Sequence, residues 1–327
     1  MRHLICLLLF SILAFAAQAQ NHILILNKSG NTAWQLDAAT GERLANYNTG
    51  TAPHEVAVSP DKKWAAITNY GNQQPGNSLT VVNLEKREVA KTIDLKSFER
   101  PHGIEWFSDN RRVVVSAEEQ QSVVIIDIIE GTVLSDIETN EQVSHMVELS
   151  TDEEKVYITN LGSGSLTVLD IPDEKIISTI STGEGTEGIT LANNGSELWI
   201  TNRVSDTISI IDSGTLQIIE TLLSETFPIR AETSPNGNYI AVSNARASSV
   251  TVFSTQSKEK LATVSTKTPG VKDGMPIGLT FSDDNSRLFV ANSNADQIVV
   301  INTDSWKVLE TFPTGDTPDG IAYISDE

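Results

Sequence analysis

Cysteine is almost absent from this chain, which has a single one, Cys6, among its 327 residues. An intramolecular disulfide is therefore impossible, because there is no second thiol. A zinc site built on paired thiolates is excluded for the same reason. Basic residues are also scarce, because 23 lysines and arginines stand against 43 aspartates and glutamates, giving a formal net charge of −20. Nucleic acid and anionic lipid are poor partners, since their phosphates would be repelled at long range.

Long apolar runs are missing beyond the N-terminus, where one covers residues 4–17. The sequence AQA at residues 17–19 has the small-x-small pattern of a cleavage site, so residues 1–19 are typical of a secretory signal peptide. No later stretch approaches the ~20 apolar residues of a membrane span, and we expect none. The prediction is an exported protein, periplasmic or extracellular, whose mature part at residues 20–327 is one domain.

Several catalytic motifs are also absent. The sequence has no Gly-rich phosphate loop, no GxSxG elbow, no HExxH and no paired CxxC. Nucleotide-dependent, serine-hydrolase and thiolate-zinc chemistry therefore have no support.

What the chain does contain is an internal repeat of about 40 to 50 residues, a period typical of stacked sheet units. Units open with elements such as PHEVAVSPD at residues 53–61 and PIGLTFSDD at residues 276–284. We call the position after this proline, or its equivalent, the slot. Seven residues occupy it: His54, His102, His145, Glu187, Ile229, Ile277 and Asp319. An asparagine follows most slots after fifteen residues, as at Asn160 and Asn202, and is interpreted as a turn residue bonding its own backbone.

Each unit carries four short runs of alternating apolar residues, for example GITLA, ELWIT, TISIID and IIETLL. Four strands per unit predict a propeller blade. The chain begins at residue 22 without an inner strand and ends with a spare one at residues 318–323. The last strand is therefore predicted to close the first blade, which removes an exposed edge. The fold class predicted is an all-β, seven-bladed β-propeller.

The runs VYITN, LWITN and FVANS, together with PHEVAVSPD, resemble the YVTN-repeat β-propeller family of secreted proteins. The resemblance covers residues 22–325. It implies the propeller fold, but it does not assign a function, because the family and its relatives include surface-layer proteins, lactonase-like enzymes and members without a known activity.

Five slots in ring order carry residues that can coordinate a metal. Neutral imidazoles converging on a channel axis suit zinc, copper, iron or manganese, with carboxylates completing the set. The predicted metal site comprises Asp319, His54, His102, His145 and Glu187. Glu187 is the predicted fourth ligand or general base. The alternative is that these histidines descend from one duplicated blade and only hydrogen-bond their own loops.

The side chain three residues after each slot is predicted to face the channel. Glu105 and Glu148 occupy this position. They are predicted to fix the tautomer of a metal-bound histidine, as such ligands usually require. The alternative is a water-filled polar tunnel lined by solvated carboxylates.

Two arginines are predicted at the same face of the ring, in loops after the second strands of neighbouring blades. Arg203 and Arg246 could hold an anionic small molecule by forked hydrogen bonding, or they could pair with nearby acidic residues. Longer connections at residues 69–78 and 266–275 suggest a lid or rim on this face.

Two classes of function follow. The first is an exported protein, expected to be a monomer, that binds a divalent metal and an anionic small molecule at the channel mouth, with metal-assisted hydrolysis or related chemistry. The second is a non-catalytic scaffold or surface protein that uses the propeller faces for protein or glycan partners.

Overall fold

The computed structural model describes residues 20–325, so the predicted signal peptide lies outside the described part. These residues form seven four-stranded antiparallel sheets arranged as a ring, and one short 3-10 turn at Ser293–Ala295. Neighbouring inner strands contact one another all the way around the ring. The prediction of an all-β, seven-bladed propeller is confirmed. Residues 20–325 include no helix that is long and apolar enough to cross a bilayer.

The two strands of each blade nearest the axis position the functional side chains. The inner strands are β4 (Pro53–Val58), β8 (Pro101–Trp106), β12 (Ser144–Leu149), β16 (Thr186–Ala192), β20 (Pro228–Thr233), β24 (Pro276–Phe281) and β28 (Pro318–Ile324). The second strands are β1 (His22–Asn27), β5 (Trp64–Gly71), β9 (Arg112–Ala117), β13 (Lys155–Asn160), β17 (Glu197–Asn202), β21 (Tyr239–Asn244) and β25 (Arg287–Asn292).

The two remaining strands of each blade lie toward its outer edge. The third strands are β2 (Thr32–Asp37), β6 (Pro75–Asn83), β10 (Ser122–Asp127), β14 (Ser165–Asp170), β18 (Thr207–Asp212), β22 (Ser249–Ser254) and β26 (Gln297–Asn302). The outer strands are β3 (Arg43–Asn48), β7 (Glu88–Asp94), β11 (Thr132–Glu138), β15 (Lys175–Ser181), β19 (Gln217–Leu223), β23 (Lys260–Ser265) and β27 (Lys307–Pro313).

Blade 1 combines the two ends of the chain, since β28 pairs with β1 ahead of β2 and β3. The antiparallel register places His22 opposite Ile324 and Ile25 opposite Ile321. This confirms the predicted closure. Blades 2 to 7 then follow in chain order, each contributing four consecutive strands, from β4–β7 to β24–β27.

The hydrophobic core is divided among the interfaces between blades. Seven apolar clusters form, and each joins two neighbouring blades. The cluster between blades 3 and 4, for example, packs Val114 of β9 against Val147 of β12 and Ile158 of β13. Because every interface has its own cluster, burial of apolar surface stabilises each contact between blades around the ring.

A β-bulge near the start of each inner strand turns the slot residue toward the end of the channel. In blade 2, Pro53 pairs with Asn69 but Val56 pairs with Ile67, so the inner strand has one extra residue between these pairs. The same shift occurs in the other six blades. Because a bulge re-aims a side chain, the slot residue escapes the alternation that directs Val56 into the interface between blades.

A hydroxyl on the second strand holds this bulge in place. Oγ1 of Thr159 accepts a hydrogen bond from the backbone of Met146 at 3.0 Å and donates one to the carbonyl of Glu187 in the next blade at 2.6 Å. Four hydroxyls make this pair of bonds and link successive blades: Ser116, Thr159, Thr201 and Ser243.

The repeated asparagines have a different role from the predicted turn residue. Nδ2 of Asn160 donates to the hydroxyls of Ser165 and Thr167 on the third strand. Nδ2 of Asn202 does the same with Thr207 and Ser209. These asparagines therefore connect the second and third strands of a blade through their side chains. They can do so because they end the second strand, next to the start of the third.

Candidate functional site

The candidate site is a cavity of about 440 Å³ at the end of the central channel where the inner strands begin. We call it the mouth cavity. Six predicted site residues line it: His54, His145, Glu187, Asp319, Arg203 and Arg246. His102 is fully buried beside it, with its ring between those of His54 and His145.

The predicted arc forms one unbroken run of contacts. Nδ1 of His54 lies 2.7 Å from Oδ2 of Asp319, and the His54 ring meets the His102 ring edge-on at a centroid distance of 4.2 Å. The His102 and His145 ring centroids lie 3.6 Å apart, with planes inclined by 31°. Nε2 of His145 lies 3.4 Å from Oε1 of Glu187. The structure thus brings together all five residues; their role as metal ligands stays a prediction.

One end of the arc carries a positive charge of its own. Nζ of Lys28 lies 3.1 Å from Oδ2 of Asp319 and 3.3 Å from Nε2 of His54. Burial acts to raise the pKa of Asp319, but the nearby charges of His54 and Lys28 outweigh it and hold that pKa well below its usual value. An incoming metal ion would meet the Lys28 ammonium here, so Asp319 and His54 are the less suited part of the predicted ligand set.

His145, the fourth member of the arc, lies between two carboxylates. Nδ1 of His145 is 2.5 Å from Oε1 of Glu118, whose other oxygen accepts a hydrogen bond from the hydroxyl of Tyr70 at 2.7 Å. Burial lowers the pKa of His145, but its contacts with Glu118 and Glu187 have the larger combined effect, so the pKa lies above the usual value. The Glu118 contact also fixes the orientation of the ring.

His102 is the unexplained residue of the site. Its side chain is fully buried, and neither ring nitrogen has a hydrogen-bond partner among residues 20–325. Burial, followed by the charges of His145 and His54, lowers its pKa well below the usual value, so the ring is neutral. Buried polar atoms are almost always paired, and two orphaned nitrogens on one neutral ring point to a group that binds there.

Glu187 is held by two arginines. Nη1 of Arg203 lies 2.8 Å from its Oε2, and Nη1 of Arg230 lies 3.1 Å from its Oε1. Burial acts to raise the pKa of Glu187, but His145 and the two arginines lower it to about 2. Arg230 continues to the carboxylate of Glu55, which lines the channel below the mouth cavity.

The two predicted arginines differ in how they are held. Both guanidinium groups lie over the ring of Phe227, at 3.9 Å for Arg246 and 5.2 Å for Arg203. Arg203 pairs with Glu187, whereas no carboxylate within residues 20–325 forms an ion pair with Arg246. Arg246 therefore has hydrogen-bond donors left for a ligand in the mouth cavity.

The channel below has carboxylates, but they do not serve the histidines as predicted. Oε2 of Glu105 accepts a hydrogen bond from the backbone of Leu149, and Oε1 of Glu148 accepts one from Leu191, each in the next blade. They line a cavity of about 330 Å³ that also contains Glu232. Burial raises the pKa of Glu148 to about 7 and, with the charge of Glu148, that of Glu232 to about 8. The residue that orients a histidine is Glu118 instead.

Three residues can hold a metal ion together. One ligand atom each from His102, Glu118 and His145 lies within 4.8 Å of the others, and all three residues are buried. Two imidazoles and a carboxylate suit zinc and other divalent transition metals. The orphaned nitrogens of His102 support this fit. The two nearly stacked rings must rotate to share an ion, because a metal lies in the plane of each ring that binds it.

Arg230 and Glu55, which stand directly after the slot, were not among the predicted site residues. In four blades this position is a glycine, namely Gly103, Gly188, Gly278 and Gly320. A Cβ at Gly103 would lie 2.7 Å from the carbonyl oxygen of His145 in the next blade, so space is limited there. Two charged residues at a position that otherwise favours glycine were the signal available in the sequence.

A comparison with protein families identifies the chain. It matches the model described as "Lactonase, 7-bladed beta-propeller" over residues 14–310. The chain belongs to this propeller lactonase family. The mouth cavity is the candidate functional site of this propeller lactonase family member. A search of curated protein sequences finds no match.

Solved structures share the fold of this propeller lactonase family member at low sequence identity. The periplasmic gluconolactonase of Pseudomonas aeruginosa is 17% identical, with a TM-score of 0.76 over 93% of this chain and 99% of that chain. A putative 6-phosphogluconolactonase from Bacteroides fragilis is 14% identical, with a TM-score of 0.76 over 94% and 99%. Hydrazine synthase from Kuenenia stuttgartiensis is 17% identical, with a TM-score of 0.72 over 82% and 88%.

Proposed function

We propose that this protein hydrolyses an anionic lactone in the mouth cavity, assisted by a bound divalent or transition metal. The observation that carries the proposal is the composition of that one cavity. It places an imidazole–carboxylate group, His145 and Glu118, in the same space as an arginine, Arg246, that has no carboxylate partner among the described residues. Membership of the lactonase family and the lactonase names of two structural neighbours support the class of reaction.

Arg246 and Arg203 are the proposed anchor for the anionic group of the substrate. Both line the cavity, and their stacking on Phe227 holds the guanidinium planes before a ligand arrives. A guanidinium can donate two parallel hydrogen bonds to a carboxylate or phosphate. In a chain of net charge −20, this local positive patch selects an anion that the rest of the surface repels.

The proposed metal ligands are His102, His145 and Glu118, the group whose atoms lie within 4.8 Å. A metal ion bound there would polarise the lactone carbonyl or lower the pKa of a bound water. His102 is already neutral because of its burial. His145 has a raised pKa and must lose a proton before it can bind.

The remaining residues of the cavity have roles in the same proposal. His54, held by Asp319, is the imidazole available to exchange a proton with the reacting water. Lys28 stabilises negative charge that develops on the carbonyl oxygen. Glu187, with its pKa of about 2, is a weak proton acceptor, and we propose that it positions Arg203 and His145 instead.

The test uses mature protein without a His tag, stripped with a chelator and reloaded separately with zinc, copper, iron or manganese. Proton release is followed on a γ-lactone carboxylate and on the same lactone without the carboxylate. Arg246→Gln should raise KM for the charged lactone about tenfold or more and leave the uncharged one unchanged, because one charged hydrogen-bonding pair is lost. Arg43→Gln, which removes an arginine stacked on Trp34, is the matched control. If no metal form hydrolyses either lactone, the proposal fails.

Export is part of the proposal and needs its own measurement. The AQA pattern at residues 17–19 suggests that the mature chain begins at Gln20. N-terminal sequencing of protein from the periplasm or medium should find Gln20. Recovery of a soluble cytoplasmic product with Met1 intact would contradict it.

The scaffold alternative has one observation in its favour. Outer strands expose pairs of aliphatic side chains, including Ile176 with Ile177 on β15 and Ile218 with Ile219 on β19. Such residues at the edge of a sheet can dock a partner. A protein that binds no metal and hydrolyses no lactone, but is retained on immobilised extract through these strands, would favour the scaffold.

A further inference from the structure

A second cavity opens beside the mouth cavity, between blades 4 and 5. Its volume is about 830 Å³. Val143, Leu161 and Arg203 line both cavities, so a ligand anchored at Arg203 has the second space directly beside it. We call this second space the side groove.

The side groove begins beside a glycine in the rim of the mouth. The residue two positions before each slot has a positive φ, between 51° and 72°. These seven rim residues are Ala52, Arg100, Val143, Gly185, Phe227, Met275 and Thr317. Glycine adopts this conformation without steric strain, whereas a residue with a Cβ is strained there. Only blade 5 has the glycine, and Gly185 lines the side groove.

The retained side chains at the other rim positions indicate what the rim does. A β-branched residue at positive φ, such as Val143, is a strained choice that persists where the side chain has a use. Val143, Phe227 and Met275 all line the mouth cavity, so the rim encloses it on these blades. At Gly185 a Cβ would lie 2.8 Å from Cγ2 of Val204 and 2.9 Å from Cγ of Arg203, so these two side chains form the rim on blade 5 and line the side groove.

The chemistry of the groove favours an aliphatic occupant. Val143, Leu161 and Val204 contribute apolar surface, and Val204 is 56% exposed. Two of its hydroxyls already have hydrogen-bond partners. Oγ of Ser163 accepts a hydrogen bond from the backbone of Gln142, and the hydroxyls of Thr182 and Thr186 bond to each other. A polyol chain would have to compete for these two hydroxyls, whereas an alkyl chain needs no hydrogen-bond partner.

We propose that the side groove binds an unbranched alkyl substituent on the lactone, so that the substrate class is an alkyl-substituted lactone carboxylate. The anionic group pairs with Arg246, and the ring lies in the mouth cavity. The chain passes along Leu161, which lines both cavities, to cover Val204. This inference rests on the proposed lactone hydrolysis, and it adds the part of the substrate that the mouth cavity does not hold.

The experiment compares γ-lactone carboxylates whose alkyl substituent lengthens from methyl to octyl. For the wild type, kcat/KM should rise about fourfold per added methylene, the effect of burying one CH2, until the chain outgrows the groove. Val204→Asp should abolish the rise while the methyl lactone reacts as before. Leu223→Asp, at an 81% exposed position on β19, is the matched control and should preserve it.

Leu161→Asn is the second variant, because Leu161 lines both cavities and so lies where the alkyl chain leaves the mouth cavity. It should remove apolar contact with the chain, so that the octyl lactone loses much of its advantage over the methyl lactone. Calorimetric binding of the octyl hydroxy-acid product to each protein measures the groove without turnover.

The outcomes separate the two proposals. Absence of turnover for every lactone, with the octyl product still bound more tightly than the methyl product, overturns the hydrolysis but supports the groove. A wild type that hydrolyses all lengths equally, or a Val204→Asp protein that keeps the full chain-length dependence, overturns the groove alone. Tighter binding of a polyol-substituted product than of the alkyl product also overturns it.

Discussion

Nδ1 of His145 lies 2.5 Å from Oε1 of Glu118, and the two residues come from neighbouring blades. Glu118 follows β9 in blade 3, whereas His145 stands at the slot of blade 4. The hydroxyl of Ser116, two residues before Glu118, donates a hydrogen bond to the carbonyl of His145 and so connects the two blades at this level. The candidate site is therefore a property of the ring rather than of any single repeat.

Loss of His102 tests the metal group most directly. His102→Ala should abolish stoichiometric zinc uptake by the purified mature protein, because it removes a neutral imidazole whose nitrogens have no described partner. His54→Ala should retain the metal, since His54 faces Asp319 and Lys28. Elemental analysis after dialysis measures both, with thermal unfolding as the folding control.

The opposite pattern would be equally informative. Loss of the metal in both variants would favour the five-residue arc predicted from the sequence. Uptake by His102→Ala at the wild-type level would contradict a metal at either set of ligands.

The acidic channel gives the folded protein a pH dependence of known sign. Burial and the charge of Glu148 raise the pKa of Glu232 to about 8, from the ordinary value of 4.5. The folded state therefore holds a proton that the unfolded chain releases, and this contribution to stability is complete below about pH 4.5 and is lost as the pH rises through about 8. Glu105 and Glu148 face the same cavity and act in the same direction.

Glu232→Gln should reduce this dependence. Its melting temperature should exceed that of the wild type by about 1–3 °C on the alkaline side of the window, with a smaller gain at acid pH. Glu88→Gln removes the same charge from an exposed site on β7 and is the control. An equal shift at both pH values would show that the channel carboxylate is not responsible.

The bulge hydroxyls predict a mutation that acts through the backbone. Thr159→Val keeps the shape of the side chain but leaves the Met146 amide and the Glu187 carbonyl without this partner. An unsatisfied buried amide costs about 1–3 kcal/mol, so the melting temperature should fall by a few degrees. Thr159→Ser retains the hydroxyl and should preserve most of the stability. Equal melting of the Val and Ser variants would show that the hydroxyl bonds contribute nothing.

The fold could be predicted because it depends on a repeated pattern. The site could be predicted only in part. The slot register placed His54, His102 and His145 correctly, since every blade follows the same path. Strict alternation along the strand would have buried these side chains between blades. The bulge turns them toward the end of the channel, and the pattern of apolar residues does not reveal a bulge. Lys28 directly follows a second strand, as Arg203 does, and Arg230 directly follows a slot. Both were missed because charge recurs at these positions in only some of the blades.

Glu105 and Glu148 were predicted to face the channel correctly, but with the wrong hydrogen-bond partner. Their direction toward the channel follows from the strand period, and the structure agrees. Their hydrogen bonds depend on the offset between blades, which puts the amide of Leu149 or Leu191 beside the carboxylate. The spacing of residues within one repeat does not reveal that offset between neighbouring blades.

Deletion of residues 318–327 tests the closure of the ring. It removes β28, so that β1 loses its partner on the channel side, Ile321 and Ile324 leave the clusters on either side of blade 1, and Asp319 leaves the site. Because both interfaces of blade 1 weaken and an open edge is created, the loss should be large and cooperative across the ring. Deletion of residues 326–327 alone removes none of these contacts and should melt as the full chain does. Thermal unfolding of both truncated proteins measures the effect, and addition of a peptide of residues 314–327 should restore part of the lost stability. If the longer deletion melts like the shorter one, β28 does not close the propeller.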